Sequence, residues 1–196
     1  MNDNRIELLL EYARQKGATK ASCIQPDKVT IENRLSAFCR EPKCPHFGQS
    51  ASCPPHISGP SMLRNLLKQS KHVIVVRIEV EGDSLHGEER PFVMQLLHEI
   101  TAEIELEAQR IGFPNSLGLA AGSCKKSFCD EHLVCNVING DGTCRHPTKA
   151  RQSMSGYGVN VGELMKSAGW STELFSNAGS DENEELAWVA GLIILL

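Results

Sequence analysis

The sequence predicts an α+β or α/β fold: a small mixed β-sheet with covering helices and two cysteine-rich metal-binding loops gathered at one end. Three observations lead to it. A β-branched run at 73–80 (VIVVRIEV) is followed by a long helical pattern and a second apolar run at 117–121, the succession of a β-α-β unit with a right-handed crossover. Cys124, Cys129, Cys135 and Cys144 then fall within 21 residues, spaced C-x4-C-x5-C-x8-C, among turn formers and almost no periodic apolar pattern. Earlier, Cys39, Cys44 and Cys53 stand in C-x4-C-x8-C spacing between Pro42, Pro45, Pro54 and Pro55, which forbid a regular helix there.

Composition bounds the rest. At 196 residues, with 22% charged and 41% hydrophobic residues, the chain suits one domain spanning 1–196 with a proper core. A net charge of −4 gives no general attraction to nucleic acid or an anionic membrane, and 5% aromatics offer no stacking surface for single strands. The amphipathic, charge-interrupted N-terminus does not read as a signal peptide. The most apolar run, 186–196, is shorter than the ~20 residues a membrane helix needs. The expectation is a cytoplasmic protein without nucleic acid or membrane as partner. In that compartment eight cysteines point to metal or redox chemistry before disulfides.

In chain order, Ile6, Leu9, Leu10 and Ala13 share one helical face, which Gly17 ends. Ala21 and Cys23, then Val29 and Ile31 after a Pro26-Asp27 turn, alternate with polar residues and predict two short strands. Cys23 shares the inward parity of Ala21 and reads as a small buried hydrophobe. Met62, Leu63, Leu66 and Leu67 mark a short helix. Pro91 fits the start of the longest helix, whose predicted inner face is Phe92, Leu96, Ile100, Ile104 and Ile111, stopped by Gly112 and Pro114. Asn160 and Glu163 predict a capped helix ending at Gly169. Two strands, 170–175 and 186–195, then follow around the polar link SNAGSDENEE.

A structureless loop as long as 122–158 is uncommon unless something other than an apolar core organises it. Thiolates around a metal supply that organisation. Thiolate is a soft donor that selects zinc, Cu(I) or iron–sulfur clusters, and four cysteines complete an all-thiolate set for zinc or a cluster. The chain contains no C-x2-C knuckle, the usual zinc-ribbon element, whereas cluster loops tolerate varied gaps. The residues therefore favour a 4Fe–4S cluster on Cys124, Cys129, Cys135 and Cys144, with zinc as the alternative. Cys39, Cys44 and Cys53 hold a second site, with an open iron or with His46 or His56 as fourth ligand, or else complete the first.

Lys125, Lys126, Arg145, His146, Lys149 and Arg151 flank the second cluster of cysteines. Most of the lysines read as solvated surface, while Arg145 and Arg151 are candidates for binding an anion. His72, His86, His98 and His132 are given no functional role and are expected at the surface or at strand ends. There is no G-x-G-x-x-G, Walker loop, H-E-x-x-H or G-x-S-x-G.

CPHFGQSASCPPH, GLAAGSC and CRHPTKARQSMSGYGVNV together resemble a family of predicted metal-binding proteins of unknown function, common in anaerobic bacteria and archaea. Such proteins show a C-P-x-[YF]-G…C-P-P motif and then G-x-C…C-R-x-P-x-x-A-R-x-S-[ML]-x-x-x-G-[VI], and the similarity covers most of the chain. It implicates Cys44 and Cys53 in the first motif and Cys124 and Cys144 in the second, with Cys39, Cys129 and Cys135 as further matches. Many relatives have tighter gaps between the middle cysteines and Pro where Gln152 stands. The resemblance implies metal binding and an anaerobic setting, without a reaction.

Three functional readings stay open. The first is a protein with one or two 4Fe–4S clusters that serves electron transfer or supports a metalloenzyme, with a redox protein or that enzyme as partner. The second is an enzyme using an open cluster iron, or a bound corrinoid or anion near Arg145 and Arg151. The third is a zinc-stabilised protein-interaction module that uses 186–196 as its partner surface.

Overall fold

The computed structural model describes residues 4–40, 44–140, 142–173, 175–177 and 185–196. Its elements are α1 (Asn4–Gln15), β1 (Lys20–Ile24), α2 (Asn33–Ala37), α3 (Gly59–Gln69), β2 (His72–Glu81), α4 (Gly82–His86), α5 (Arg90–Arg110), β3 (Leu117–Ala120), α6 (Cys124–Phe128), β4 (Gln152–Ser153), α7 (Val161–Ser167), β5 (Phe175–Asn177) and β6 (Glu185–Leu195). Strand order is β1-β2-β6-β3-β4, with β5 beside one half of β6 and β3 beside the other. All pairings are antiparallel except β3 with β4. This is the mixed sheet with covering helices that the sequence predicts.

Both faces of the sheet are covered. Ile74, Val76 and Ile78 of β2 and Ala187, Val189, Ile193 and Leu195 of β6 pack under α1 and α5. The alternate residues, Val73, Val75, Trp188, Ala190, Leu192 and Ile194, pack against Leu63 and Leu67 of α3 and Leu164 and Met165 of α7. Strands buried on both faces read as continuous apolar runs, which is why 73–78 and 186–196 carry so little alternation. The 186–196 run is thus the central core strand and not a free partner surface. Among the described residues no helix is long and apolar enough to cross a membrane.

Several local expectations change. β2 and β3 do run parallel about α5, but β6 lies between them, because the C-terminal strand is the more apolar and takes the centre. Val29 and Ile31 form no strand. Pro26–Lys28 is a 3-10 turn, and Ile31 makes a single bridge to Val159. The strand expected over 170–175 begins only at Phe175. Pro42, Asp141 and the middle of the polar link before β6 lie outside the described residues. Asn160 caps α7 as expected, its side-chain oxygen accepting the Glu163 N–H, and Gly169 ends the segment at a positive φ of 77°.

Helix α5 is rotated from its predicted face. Phe92 is 70% and Leu96 41% exposed, while Val93, Leu97, Ile100, Thr101, Ile104, Glu105 and Ala108 turn inward. Glycines allow this close contact. A Cβ at Gly118 would stand 2.7 Å from Glu105 Oε2, and one at Gly191 would stand 2.6 Å from Thr101 Oγ1. At these two points side chains of the helix rest on bare sheet backbone, so the polar Thr101 and Glu105 enter the interior.

Candidate metal centre

Strand β3 runs into Gly122, whose φ of 81° turns the chain into α6 and delivers Cys124 at its first position. The first cysteine loop approaches from the other side. Ser52 Oγ donates to Cys124 Sγ at 2.9 Å, Ser50 and Ser52 share a hydrogen bond of 3.0 Å, and the Ser153 N–H donates to the Ser52 carbonyl at 2.9 Å. The two loops therefore meet, and residues 50–53 form the wall between them.

Cys124, Cys129, Cys135 and Cys144 all line one small cavity of about 20 Å³, closed by Phe128, His146 and Lys125 among others. Their sulfurs are supplied with donors. Burial pushes the Cys124 thiol up to about 11, and the Ser52 and Ser50 hydroxyls only partly offset it. Burial also pushes Cys135 up, but the N–H groups of Ala51, Ile138 and Val137, with the charge of Arg145, outweigh it and the net shift is downward. Cys144 Sγ accepts the His146 N–H at 3.3 Å. Hydrogen bonds of this kind stabilise thiolates and tune a metal centre.

The loop is braced from below. Lys125, expected at the surface, is buried; its ammonium donates to the carbonyl of Cys129 at 2.8 Å and to that of His132. Phe128 stacks on His146 at 5.4 Å and meets the edge of His98 at 5.7 Å. His98, also expected outside, is fully buried on α5, and its Nδ1 accepts the Arg151 N–H at 3.1 Å. Burial, reinforced by the Arg151 charge, lowers its pKa to about 4. Lys126 and Lys149 do stand at the surface, paired with Asp130 and Glu99.

Arg151 and Arg145 face the protein's own oxygens. Arg151 is buried, its guanidinium donating to Glu105 and to the carbonyls of Pro147 and Ala150. Arg145 donates to the Val134 carbonyl at 3.0 Å and lines the four-cysteine cavity.

Cys39, Cys44 and Cys53 line a separate cleft of about 440 Å³ with His46, Phe47, Arg90, Ser123, Ser153 and Ser155. Cys39 is shifted up by burial, and Cys44 and Cys53 are near enough to add to that. Cys53 also acts on Cys124 across the shared wall. Of the two histidines considered as ligands, His46 lines the cleft, whereas the His56 ring meets the Gly48 carbonyl at 3.3 Å. Cys23 is remote from both sites, half-buried against the α1–α5 core and 3.7 Å from His72 Nδ1. A further recess of about 330 Å³ between α3 and the Pro26–Lys28 turn contains no thiol.

The fit to a metal is one of donor chemistry. Seven thiols face two adjoining cavities, and those of Cys124, Cys135 and Cys144 have N–H or O–H donors aimed at sulfur. Among the described residues, however, no three Cys, His, Asp or Glu side chains form a group that could hold a metal ion. The four thiols surround a space and do not converge on a point. Sequence reasoning missed Ser50, Ser52, Ser123, Arg90, Lys125 and His98. Only the serines carried a signal, in the motif segments SASC and GSC that resemblance had already marked.

A family model described as "Predicted metal-binding protein (DUF2284)" matches residues 22–194. No curated protein and no solved structure matches the chain.

Proposed function

The chain belongs to that family of predicted metal-binding proteins, and from this premise we propose that it is an iron–sulfur protein that passes electrons to a redox partner or to a metalloenzyme in anaerobic metabolism. The observation that carries the reading is the pair of adjoining cavities, one lined by Cys124, Cys129, Cys135 and Cys144, the other by Cys39, Cys44 and Cys53, with residues 50–53 between them. A bound cubane supplies reversible one-electron chemistry. Cys124, Cys129, Cys135 and Cys144 would hold one cluster completely, and Cys39, Cys44 and Cys53 would hold a second with one iron unligated by sulfur from this chain. Ser52, the Ala51 N–H and the His146 N–H lower the charge density on the thiolates of the first site, and Lys125 ties together the carbonyls of Cys129 and His132 in its loop. The cavity between these four cysteines, about 20 Å³, is smaller than a cubane.

That small volume favours a second reading, a single zinc ion on the four cysteines of an interaction module. One experiment separates the two. Protein purified without air is assayed for iron, acid-labile sulfide and zinc per chain, with its visible spectrum. About four irons and four sulfides mean one cubane, and about eight of each mean both sites are filled. One zinc without sulfide overturns the redox reading.

A further inference from the structure

The three-cysteine cleft carries features that sulfur ligation does not use. Its wall includes Arg90, an exposed residue at the first position of α5, and among the described residues no carboxylate or carbonyl pairs with that guanidinium. Ser123 stands in the same wall. It is 4% exposed, and its Oγ has no hydrogen-bond partner. A buried hydroxyl without a partner loses its water hydrogen bonds and gains nothing from the protein, so it marks a place where an acceptor is missing. A second recess of about 220 Å³ shares His46, Arg90, Gly122 and Ser123 with the cleft and adds Lys126. No Asp or Glu of the described residues lines either space.

A guanidinium without a partner among the described residues, an unsatisfied buried hydroxyl and a described lining without carboxylates select an anion, with Asp130 beside the recess held by Lys126. The guanidinium fork matches the paired oxygens of carboxylate or phosphate, and the volume is that of a small-molecule site. We propose that this cleft binds a small oxyanionic ligand, a carboxylate or a phosphate, with Arg90 and Ser123 gripping its oxygens beside Cys39, Cys44 and Cys53. The inference deepens the iron–sulfur reading, since the ligand would lie against the site with the open iron. The binding of the anion itself needs only residues of this chain.

The test is a titration of anaerobically purified full-length protein with inorganic phosphate in one arm and malonate in the other. Melting temperature and the visible spectrum are both read, and iron and sulfide are assayed on the same samples. A saturable rise in melting temperature is expected with one of the two, which then names the oxyanion. Arg90→Gln should weaken that effect on the order of tenfold or more, as loss of a charge-assisted pair does. Arg110→Gln, at the far end of α5 and paired with Glu107, should not. Ser123→Ala should weaken it several-fold while leaving the ligand-free melting temperature unchanged or higher, because the hydroxyl satisfies nothing without the anion. A merely structural serine would lower it. Equal titrations of wild type and Arg90→Gln, or no saturable response to either anion, overturn the proposal. If the samples lack iron and sulfide yet show the Arg90-dependent response, the anion site stands and the cluster reading falls. If they hold a cluster and show no response, the reverse is true.

Discussion

Arg151 and Glu105 form a buried ion pair beneath the four-cysteine loop, with 9% and 11% of their side chains exposed. Glu105 comes from the middle of α5, Arg151 from the segment entering β4, so the pair ties the loop to the sheet-covering helix. Burial alone drives the Glu105 carboxyl upward, and the adjacent guanidinium opposes this. Removing one partner leaves a charge inside the protein without its counter-charge. Arg151→Met and Glu105→Leu are each expected to lose about 3–5 kcal/mol of stability in urea unfolding. The double variant Arg151→Met/Glu105→Leu should recover much of that loss, because the desolvated charges go together. Additive losses would mean that the two side chains act independently.

His98 gives the fold an acid limit. Its folded-state pKa of about 4 lies below its ordinary value of 6.5, first through burial and then through Arg151. The unfolded chain therefore takes up the proton first as pH falls. The stabilisation is fully present above pH 6.5 and is lost progressively as pH falls towards 4. At ~1.4 kcal/mol per pKa unit the total is roughly 3 kcal/mol. His98→Asn keeps an acceptor for the Arg151 N–H and cannot titrate. The difference in unfolding free energy between wild type and this variant should shrink across that window, and a constant difference would remove His98 as the cause.

The sheet, its long strands and the capped helix α7 were legible because each rests on a period or a local signal: β-branched runs, the Asn160–Glu163 pair, glycine at helix ends. The rotation of α5 was not. Phe92 and Leu96 look like its inner face, but Glu105 and Thr101 go inward instead, since Glu105 has Arg151 to meet and Gly118 and Gly191 leave room. That compensation lies 46 residues away in sequence. The insertion of β6 between β2 and β3 was equally hidden, because strand order depends on which apolar run wins the centre. The cysteine types and spacings gave the two thiol groups. The donors around them could not be assigned in advance, since a serine or lysine in a loop looks the same whether it faces sulfur, carbonyl or water.

Ser52 offers a test of the shared wall. Its hydroxyl is 2.9 Å from Cys124 Sγ, and its carbonyl holds the Ser153 N–H. Ser52→Ala removes the first of these, together with the hydroxyl's hydrogen bond to Ser50, and leaves the second. Partners of metal ligands typically contribute about 10–100-fold in metal affinity. Metal release to an excess of chelator should accelerate on that scale in Ser52→Ala, whereas Ser36→Ala, whose hydroxyl meets only the Asn33 carbonyl, should release metal at the wild-type rate. Identical release from Ser52→Ala would reduce the hydroxyl to a packing contact.

The cysteines themselves divide into three groups by position, and substitution should reproduce the division. Cys124→Ser or Cys144→Ser should empty the four-cysteine site while far-UV circular dichroism, dominated by a sheet and helices that do not depend on it, persists. Cys39→Ser or Cys44→Ser should lower metal content only by the share held in the cleft, because a separate cavity holds the other four thiols. If both sites hold cubanes, each class of variant should retain about four irons per chain. Cys23→Ser should retain all of the metal, since its sulfur lies beside His72 and the α1–α5 core, away from both cavities. Complete loss of metal from Cys39→Ser would show that the seven thiols form one interdependent site, and the adjoining walls at residues 50–53 would then act as a common frame and not as a partition.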